Sequence, residues 1–447
     1  MIIMQNSRYL AFKALYKIES ENAYSNLTLD SFLKNSDLDA RNAAFVSSLF
    51  YGVLEKKLSL DYIISCFSSM RLKKIELKTL IILRLGVYQM VFMDKIPDSA
   101  AVNESVKICK KEKLYQSSGF VNGVLRSIAR SEERFPLPDK GNVEEYLSVK
   151  YSCPKNIVSL WINDYSKEIA EEILNSLFGR SPVYVRVNTL KVTCDELIEM
   201  LKSEGIEAKA APYPENALEL NYVGSISETN CFKKGLFHVQ DLSSQICCKV
   251  LSPWKNDIVS DVCSAPGGKA FNIAQRLNGT GTVFCSDIHE HKLRLIENGA
   301  KRLGIDNIKV YKRDALSIEP LEMSDRILCD VPCSGLGVIR RKPEIRYKND
   351  LGLDTLPNIQ YKILENSAQY LKSGGMLVYS TCTLHRAENG GVVDKFLVAH
   401  EEFEPVSVSD FLPESICSVI EEPCGQFTLF PQANNTDGFF ISLMRKR

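Results

Sequence analysis

Two cysteines have the clearest chemical potential in this chain: Cys333, which follows a proline, and Cys382, which lies between two threonines. A thiolate is a soft nucleophile, is partly ionised near neutral pH and is a good leaving group. These properties suit a reaction in which a nucleophile adds to a ring and is later expelled. Cysteines deep in a core are usually inert, but both of these lie in turn-like segments. We therefore predict that at least one of them is catalytic, and either can be the attacking group.

A glycine turn upstream of the cysteines predicts a ligand cradle. The run from Asp261 to Lys269 reads Asp-Val-Cys-Ser-Ala-Pro-Gly-Gly-Lys and follows an apolar segment. Adjacent glycines let the backbone turn tightly, and the helix that follows presents unpaired N–H groups to an anion. The spacing is not Gly-x-Gly-x-x-Gly, and Pro266 stiffens the loop, so a carboxylate such as that of methionine fits better than a pyrophosphate. The alternative is a strand-to-helix turn without a ligand.

Three further acids, Asp287, Asp314 and Asp330, close predicted strands of one sheet. An acid at the end of the second strand is placed to accept hydrogen bonds from both ribose hydroxyls. Asp314 can accept from an adenine amino group, and Asp330 lies at the centre of the site. Taken singly, an aspartate at a strand end is usually a helix cap. Together with the cradle, the acids predict an adenosyl pocket and S-adenosylmethionine as the cofactor.

Thiols beside a methyl donor indicate methylation of a cytosine carbon in RNA. Cytosine C5 is a poor nucleophile, so an enzyme first adds a nucleophile at C6 and thereby loads electron density onto C5. After methyl transfer, a base removes the C5 proton and the thiolate leaves. Asp330 is the candidate acid near N3 of the base. The five histidines show no pattern of metal ligands, so we predict no metal site.

The elements that must position these residues fall into three predicted domains. Residues 1–135 carry apolar residues at helical spacing and predict an all-α bundle, whose central buried helix is predicted over 77–92, where the sequence is apolar nearly all round. Residues 145–235 predict a small α+β module, in which the alternation of Val183, Val185 and Val187 predicts a half-buried strand. Residues 236–447 predict an α/β, Rossmann-like, mostly parallel sheet with ligands at the carboxyl ends of its strands. Strands are predicted at 257–263, 281–287, 307–313, 326–331 and 375–381, with an antiparallel pair near 403–408 and 438–444. Helices between the strands are predicted over 292–303 and 358–371.

Composition and charge are those of a globular protein without a membrane segment. The formal net charge is zero, but residues 1–150 carry 22 Lys+Arg against 17 Asp+Glu, a bias compatible with nucleic-acid binding. No apolar run approaches the roughly 18 residues that span a bilayer, and the first residues lack the pattern of a signal peptide. We expect a cytoplasmic protein with no membrane partner, a monomer by default. Most of the fourteen cysteines are expected to be reduced core residues, Cys66, Cys247, Cys248 and Cys329 among them.

A basic segment follows the first cysteine. Residues 340–348 contain five cations, one anion and Tyr347. Such a composition is typical of phosphate contacts and base stacking beside an active site. The alternative is a solvated loop.

At these motifs the chain resembles the RNA cytosine-5 methyltransferase family, over roughly residues 150–447. The Pro-Cys and Thr-Cys pair is the most specific part of the resemblance. It implies that Cys382 is the nucleophile and that Cys333 assists release of the methylated product. It also implies the following contacts with S-adenosylmethionine: Cys263, Ser264, Ala265, Pro266, Gly267, Gly268, Lys269, Asp287, Asp314 and Asp330.

The N-terminal 130 residues resemble the NusB-like helical RNA-binding fold, notably at residues 100–106 and 119–126. This fusion is similar to a bacterial branch of the family that methylates the cytosine at position 967 of unassembled 16S ribosomal RNA. The resemblance implies that RNA as the partner, and no DNA. Three alternatives stay open: methylation of another RNA such as tRNA or 23S rRNA, a DNA cytosine-5 methyltransferase that attacks with its Pro-Cys thiol, and a noncatalytic RNA-binding or antitermination factor.

Overall fold

The chain divides into two units, each with its own hydrophobic core. The first, called the helical unit, contains Met1–Phe178 together with Arg341–Lys348. The second, called the sheet unit, contains Gly179–Arg340 and Asn349–Arg447. The three domain limits drawn from the sequence stay predictions. In the computed structural model the described residues are 7–21, 25–179, 181–222, 224–317, 322–416 and 418–447.

The helical unit confirms the predicted helical bundle. Its most buried helix is α5 (Leu77–Phe92), which is apolar nearly all round and buries residues on every side, as the sequence predicts. The other helices of this unit are α1 (Ser7–Glu21), α2 (Ser25–Lys34), α3 (Ala40–Glu55), α4 (Lys57–Phe67), α6 (Asp98–Lys111), α7 (Tyr115–Arg130), α8 (Val143–Lys150), α9 (Lys155–Asp164) and α10 (Lys167–Ser176).

One charged side chain lies inside this bundle. Arg84 of α5 is 3% exposed and donates to both carboxylate oxygens of Asp61, at 2.6 and 2.8 Å, and to Glu19 at 2.7 Å. Burial alone would lower the pKa of Arg84, but the two carboxylates raise it above its ordinary value. Because the guanidinium of Arg84 pairs with two carboxylates, helix α5 can be buried although it contains this charged residue.

All of the basic segment after Cys333 except Arg340 is part of the helical unit rather than a free loop. Glu344 accepts hydrogen bonds from the backbone N–H and Oγ of Ser25, at 3.3 and 2.8 Å. Arg346 is 1% exposed and donates to the carbonyl oxygen of Ser152 at 3.0 Å, and the hydroxyl of Tyr347 donates to the same oxygen at 3.2 Å. The prediction of RNA contacts is therefore wrong for Arg346, whose charge is used inside the protein.

The sheet unit begins with a small antiparallel sheet. Its strand order is β2-β3-β1-β4, and α11 supplies apolar residues to its core. A capping box formed by Thr193 and Glu196 begins α11. The elements are β1 (Val183–Val187), α11 (Cys194–Ser203), β2 (Glu207–Ala210), β3 (Ala217–Asn221), α12 (Asn230–Lys233) and β4 (Phe237–Val239).

Strand β1 differs from the expectation of a half-buried strand. Val185 and Val187 are buried as predicted, but Tyr184 and Arg186 on the other face are buried too, each 2% exposed. Tyr184 packs against Leu242, and the guanidinium of Arg186 donates to the carbonyl oxygen of Glu215 at 2.6 Å. Both faces of the strand are covered because the small sheet has structure on each side.

The larger sheet confirms the predicted α/β fold. Its strand order is β10-β12-β9-β8-β5-β6-β7, with β11 also paired to β12. Strands β5 to β9 are mutually parallel, whereas β12 runs antiparallel to β9 and β10 pairs antiparallel with β12, as the late segments predict. The strands are β5 (Ile258–Asp261), β6 (Thr282–Asp287), β7 (Ile308–Lys312), β8 (Ser324–Asp330), β9 (Leu371–Thr381), β10 (Phe403–Pro405), β11 (Gln426–Leu429) and β12 (Phe439–Lys446).

The remaining helices connect these strands. The predicted helix over 358–371 is three residues too long, because Leu371 pairs with Ser324 and so begins β9. The helices are α13 (Leu242–Leu251), α14 (Gly268–Arg276), α15 (Glu290–Leu303), α16 (Leu356–Ala368), α17 (Gly390–Ala399) and α18 (Pro431–Asn434).

Every cysteine among the described residues is a free thiol. Cys247, Cys248 and Cys329 are buried as predicted, but Cys66 is exposed, so that expectation is wrong. Cys66 lies near the end of α4, on the side that faces away from the bundle core. In the part of the chain that the structure describes, no helix combines the length and the apolar character that a membrane crossing needs.

Candidate active site

The predicted acids lie along one edge of the larger sheet. Because β5 to β9 are parallel, their carboxyl ends meet at the same edge. Asp261, Asp287 and Asp330 are the last residues of β5, β6 and β8, and Asp314 follows β7 by two residues. Cys382 comes directly after β9. The sequence rhythm therefore places these side chains where a ligand of an α/β sheet binds.

The structure brings the two predicted thiols together. The Sγ atoms of Cys333 and Cys382 are 3.3 Å apart, and both side chains are half-buried. The backbone N–H of Gly337 donates to the carbonyl oxygen of Cys382 at 3.0 Å, which joins the two loops. A hydrogen bond to Cys382 and burial raise the pKa of Cys333 well above its ordinary value. The raised pKa favours the protonated form of Cys333, and its S–H lies within hydrogen-bonding distance of the sulfur of Cys382.

Asp330 holds two donors at the centre of the strand ends. Its Oδ1 accepts from the hydroxyl of Ser380 at 2.9 Å, and its Oδ2 pairs with Nζ of Lys269 at 2.7 Å. Burial would lower the pKa of Lys269, but the ion pair with Asp330 raises it above its ordinary value. A carboxylate and a proton-bearing ammonium group therefore lie side by side, and the ammonium group can stabilise negative charge on a ring nitrogen.

The glycine turn is formed by Gly267 and open at Gly268. Gly267 has φ of +106°, a conformation that L side chains rarely adopt, and its N–H donates to the carbonyl oxygen of Ser264 at 2.7 Å. A Cβ on Gly267 would lie 2.5 Å from the ring of Phe271. A Cβ on Gly268 would meet nothing closer than Nε2 of Gln240 at 4.0 Å. The open side of the turn can admit a ligand close to the backbone.

We expect Gly267→Ala to destabilise the ligand-free protein by about 1–3 kcal/mol, the cost of a residue held in a disfavoured backbone conformation. Gly268→Ala, which has room for its methyl group, should change stability by less than about 1 kcal/mol. Urea unfolding followed by circular dichroism compares the two variants. Equal destabilisation by both would contradict the assignment of the strained position to Gly267.

Ser264 has a structural role within the cradle. Its hydroxyl donates to the carbonyl oxygen of Asp261 at 2.6 Å and accepts from the N–H of Ser286 at 3.1 Å. Because the hydroxyl is used within the fold, a ligand contact from Ser264 would come from its backbone. Cys263, Ala265 and Pro266 complete the loop between β5 and the turn.

Asp287 and Asp314 each cap the turn that follows them. One oxygen of Asp287 accepts the N–H of His289, and one oxygen of Asp314 accepts the N–H of Leu316, both at 2.9 Å. The second oxygen of each has no hydrogen bond with a described residue. Capping and ligand binding are therefore compatible in both acids.

Apolar side chains beside these acids were not predicted as site residues. Ile288 is 48% exposed and Leu316 is 41% exposed. Large apolar side chains exposed next to unused carboxylate oxygens are suited to the faces of a flat ring. An apolar residue shortly after each strand-end acid is the sequence signal that would have found them.

A buried histidine behind the turn was also missed. Nε2 of His238 lies 3.2 Å from the carbonyl oxygen of Gly268, and the ring packs edge-on against Phe271. Burial, aided by the charge of Arg186, lowers the pKa of His238 to about 3, so the ring is neutral and Nε2–H donates to Gly268. No local sequence signal marks this residue, because its partner is 30 positions away.

The donor set fits S-adenosylmethionine. Asp261 is 1% exposed, and neither of its carboxylate oxygens accepts a well-formed hydrogen bond from a described residue. Burial and the neighbouring Asp330 raise the pKa of Asp261 to about 7. An unpartnered acid, a turn open at Gly268 and free oxygens at strand ends match a ligand that combines positive charge, a carboxylate and a nucleoside.

A mostly parallel sheet with this turn after β5 and acids after β6 and β7 defines an S-adenosylmethionine-dependent methyltransferase. Residues 248–445 match the family described as 16S rRNA methyltransferase RsmB/F. Residues 5–130 match the NusB family, and residues 153–227 match the ferredoxin-like domain of RsmF/B-like methyltransferases. The chain belongs to the RsmB/F methyltransferase family, which confirms the resemblance drawn from its motifs.

Relatives match over the whole chain. The probable ribosomal RNA small subunit methyltransferase B of Bacillus subtilis (strain 168) is 38% identical over 98% of both chains. The probable enzyme of the same name from Synechocystis is 32% identical over 99% of this chain and 100% of its own. A crystal structure of NSun6 from Pyrococcus horikoshii with SFG, an S-adenosylmethionine analogue, is 26% identical and aligns with a TM-score of 0.58 over 66% of this chain and 98% of its own.

Proposed function

We propose that this protein methylates C5 of a cytosine in 16S ribosomal RNA through a transient bond between Sγ of Cys382 and C6 of the base. The observation that carries the proposal is the pair of half-buried thiols 3.3 Å apart beside the ligand cradle. A single buried cysteine would be the ordinary finding in a core. Two that touch at the ligand-bearing edge of the sheet suit covalent catalysis with assisted release.

Bound S-adenosylmethionine supplies an electrophilic methyl group. The chain would hold its methionine carboxylate with the N–H groups at the start of α14, which the open side of Gly268 leaves accessible. The free oxygen of Asp287 would accept from the ribose hydroxyls and that of Asp314 from the adenine amino group, with Ile288 and Leu316 against the ring. Asp261 would face the positive charge of the ligand.

Cys382 attacks in its thiolate form, the nucleophilic form of a cysteine. Its lone pair forms a bond to C6, and the electron pair of the C5–C6 double bond moves to C5 while the ammonium group of Lys269, held by Asp330, stabilises the negative charge that spreads to N3. C5 then bonds to the methyl carbon as the carbon–sulfonium bond breaks. A base removes the C5 proton, the double bond re-forms and the C6–sulfur bond breaks.

Cys333 assists this last step. Because it keeps its proton and lies 3.3 Å from the sulfur of Cys382, its S–H can hydrogen-bond to the departing sulfur as negative charge develops there. Charge-assisted bonds of this kind are stronger than neutral ones, so the leaving thiolate is stabilised when it is needed. The roles of the two cysteines therefore differ although they touch.

Methylation of isolated RNAs tests the proposal. We expect the purified protein and tritiated S-adenosylmethionine to label unassembled 16S rRNA, and bisulfite sequencing to find one new 5-methylcytosine at the position-967 cytosine. Assembled small subunits, 23S rRNA and tRNA serve as alternative substrates. Tritium label found only in one of these RNAs would make that RNA the substrate in place of unassembled 16S rRNA. Label without a bisulfite-resistant cytosine would refute methylation at C5.

A further inference from the structure

The residues that flank both thiols are held by one adjacent pair, Glu388 and Asn389. We infer that Glu388 and Asn389 are positioning residues that set the geometry of the Cys333–Cys382 pair. The inference rests on the proposed roles of the two thiols and adds what holds them. Both residues are buried, with 0% and 1% exposure.

Glu388 holds the chain on both sides of Cys333. Its Oε2 accepts the backbone N–H of Ser334 at 2.9 Å, and its Oε1 accepts the hydroxyl of Ser334 at 2.5 Å. Nε2 of Gln360 donates to Glu388 at 2.8 Å and to the carbonyl oxygen of Pro332 at 3.0 Å. The residue before Cys333 and the residue after it are thus tied to one carboxylate, directly or through Gln360.

Asn389 holds the chain on both sides of Cys382. Its Oδ1 accepts the hydroxyl of Thr381 at 2.5 Å, and its Nδ2 donates to the carbonyl oxygen of Thr383 at 3.0 Å. These two threonines are the immediate neighbours of Cys382 in the chain. One asparagine side chain therefore spans the short loop that carries this thiol.

A contact between two hydroxyl groups links the loop held by Glu388 to the loop held by Asn389. Ser334 follows Cys333 and Thr383 follows Cys382, and the hydroxyls of these two residues lie 2.8 Å apart, within hydrogen-bonding distance. The hydroxyl of Tyr379 donates to the carbonyl oxygen of Glu388 at 2.5 Å and fixes the pair to strand β9. A shift of Glu388 or Asn389 would consequently move one sulfur relative to the other.

Glu388 also acts through its charge. Burial would raise the pKa of its carboxyl, but hydrogen bonds from His385, Ser334 and Gln360 hold that pKa below its ordinary value. The ionised carboxylate contributes to the raised pKa of Cys333, after the hydrogen bond with Cys382, burial and the charge of Cys382. A buried charge is costly for stability alone, whereas a negative charge beside Cys333 favours the protonated thiol that release requires.

Alkylation of the two thiols without RNA or methyl donor tests this directly. Iodoacetamide is added between pH 6 and 9, and mass spectrometry gives a rate for each cysteine. In Glu388→Gln we expect Cys333 to react several-fold faster than in the wild type at pH 8, because loss of the neighbouring negative charge lowers the pKa of Cys333. The pH at which Cys333 becomes reactive should fall correspondingly.

Glu422→Gln is the matched control. Glu422 accepts the backbone N–H and hydroxyl of Thr428 at 2.6 and 2.7 Å, the same pattern as Glu388 with Ser334, but none of its hydrogen bonds reaches a neighbour of either thiol. Both variants lose a carboxylate that accepts hydrogen bonds from a serine or threonine, so we expect both to be less stable than the wild type. Only Glu388→Gln should change the reactivity of Cys333.

Asn389→Asp provides a second variant of nearly the same shape. It keeps an acceptor for Thr381 but cannot donate to Thr383, so we expect slower bonding of Cys382 to RNA containing 5-fluorocytosine, with unchanged affinity for S-adenosylmethionine. Folded variants whose thiols alkylate and bond as in the wild type would overturn the inference. Failure of Cys382→Ala to stop methylation would instead overturn the proposed function, since the alkylation result does not depend on turnover.

Discussion

Cys382→Ala should abolish methyl transfer to RNA, with a loss of at least about 10³-fold, because removal of a covalent nucleophile leaves only binding and electrostatic contributions. The remaining residues can still hold both ligands, but C5 stays too poor in electrons to accept the methyl group. Tritium transfer from labelled S-adenosylmethionine measures the loss of methyl transfer. A trapping experiment with RNA containing 5-fluorocytosine measures the loss of the covalent bond to the base, since no adduct should survive on a denaturing gel.

Two further variants separate the loss of the nucleophile from general damage. Cys424→Ala removes an exposed thiol of the same unit and should leave methylation unchanged. Cys382→Ser keeps the size of the side chain but replaces the thiol by a much weaker nucleophile, so it should be as inactive as the alanine variant. Turnover retained by Cys382→Ala would transfer the attack to Cys333 or exclude a covalent route.

Local sequence predicts those residues of the site that lie at the ends of individual strands. Asp287, Asp314 and Asp330 each follow an apolar run, and parallel strands bring such ends to one edge. The glycine turn was predicted for the same reason, because its backbone conformation depends on adjacent residues. The order of the strands was not needed for either inference.

The contact between the thiols is different in kind. Cys333 and Cys382 are separated by 49 positions, and only the pairing of β8 with β9 brings their loops together. Residues such as Glu388, Asn389 and Gln360 are polar in the sequence and buried in the fold, where each serves partners on other elements. Nothing in a local pattern distinguishes them from solvent-exposed residues.

The basic segment at 340–348 shows the same limit for charge. Composition cannot tell whether a cation contacts a phosphate, faces solvent or pairs with a carbonyl group inside the protein. Arg346 does the last, because Ser152 offers its carbonyl oxygen to the guanidinium. Strand β1 illustrates the point for burial, since a second covering layer buried Tyr184 and Arg186 against the alternating pattern.

Cys333→Ala should form the RNA adduct but release it slowly. Without the S–H of Cys333, the sulfur of Cys382 loses this hydrogen-bond donor as it departs, so we expect turnover to fall about 10²-fold or more, as for loss of a general acid. The first round of methyl transfer should still occur. A stable protein–RNA band on a denaturing gel, with about one methyl group per protein molecule, would report the stalled complex.

The pairing of the two variants decides between the thiols. If release depends on Cys333, the double variant Cys333→Ala with Cys382→Ala must lose the band, because the stalled bond belongs to Cys382. Cys333→Ser, whose hydroxyl can still donate a hydrogen bond, should release faster than the alanine variant. A Cys333→Ala protein that turns over at the wild-type rate, with no accumulated band, would remove Cys333 from the reaction although it touches the nucleophile.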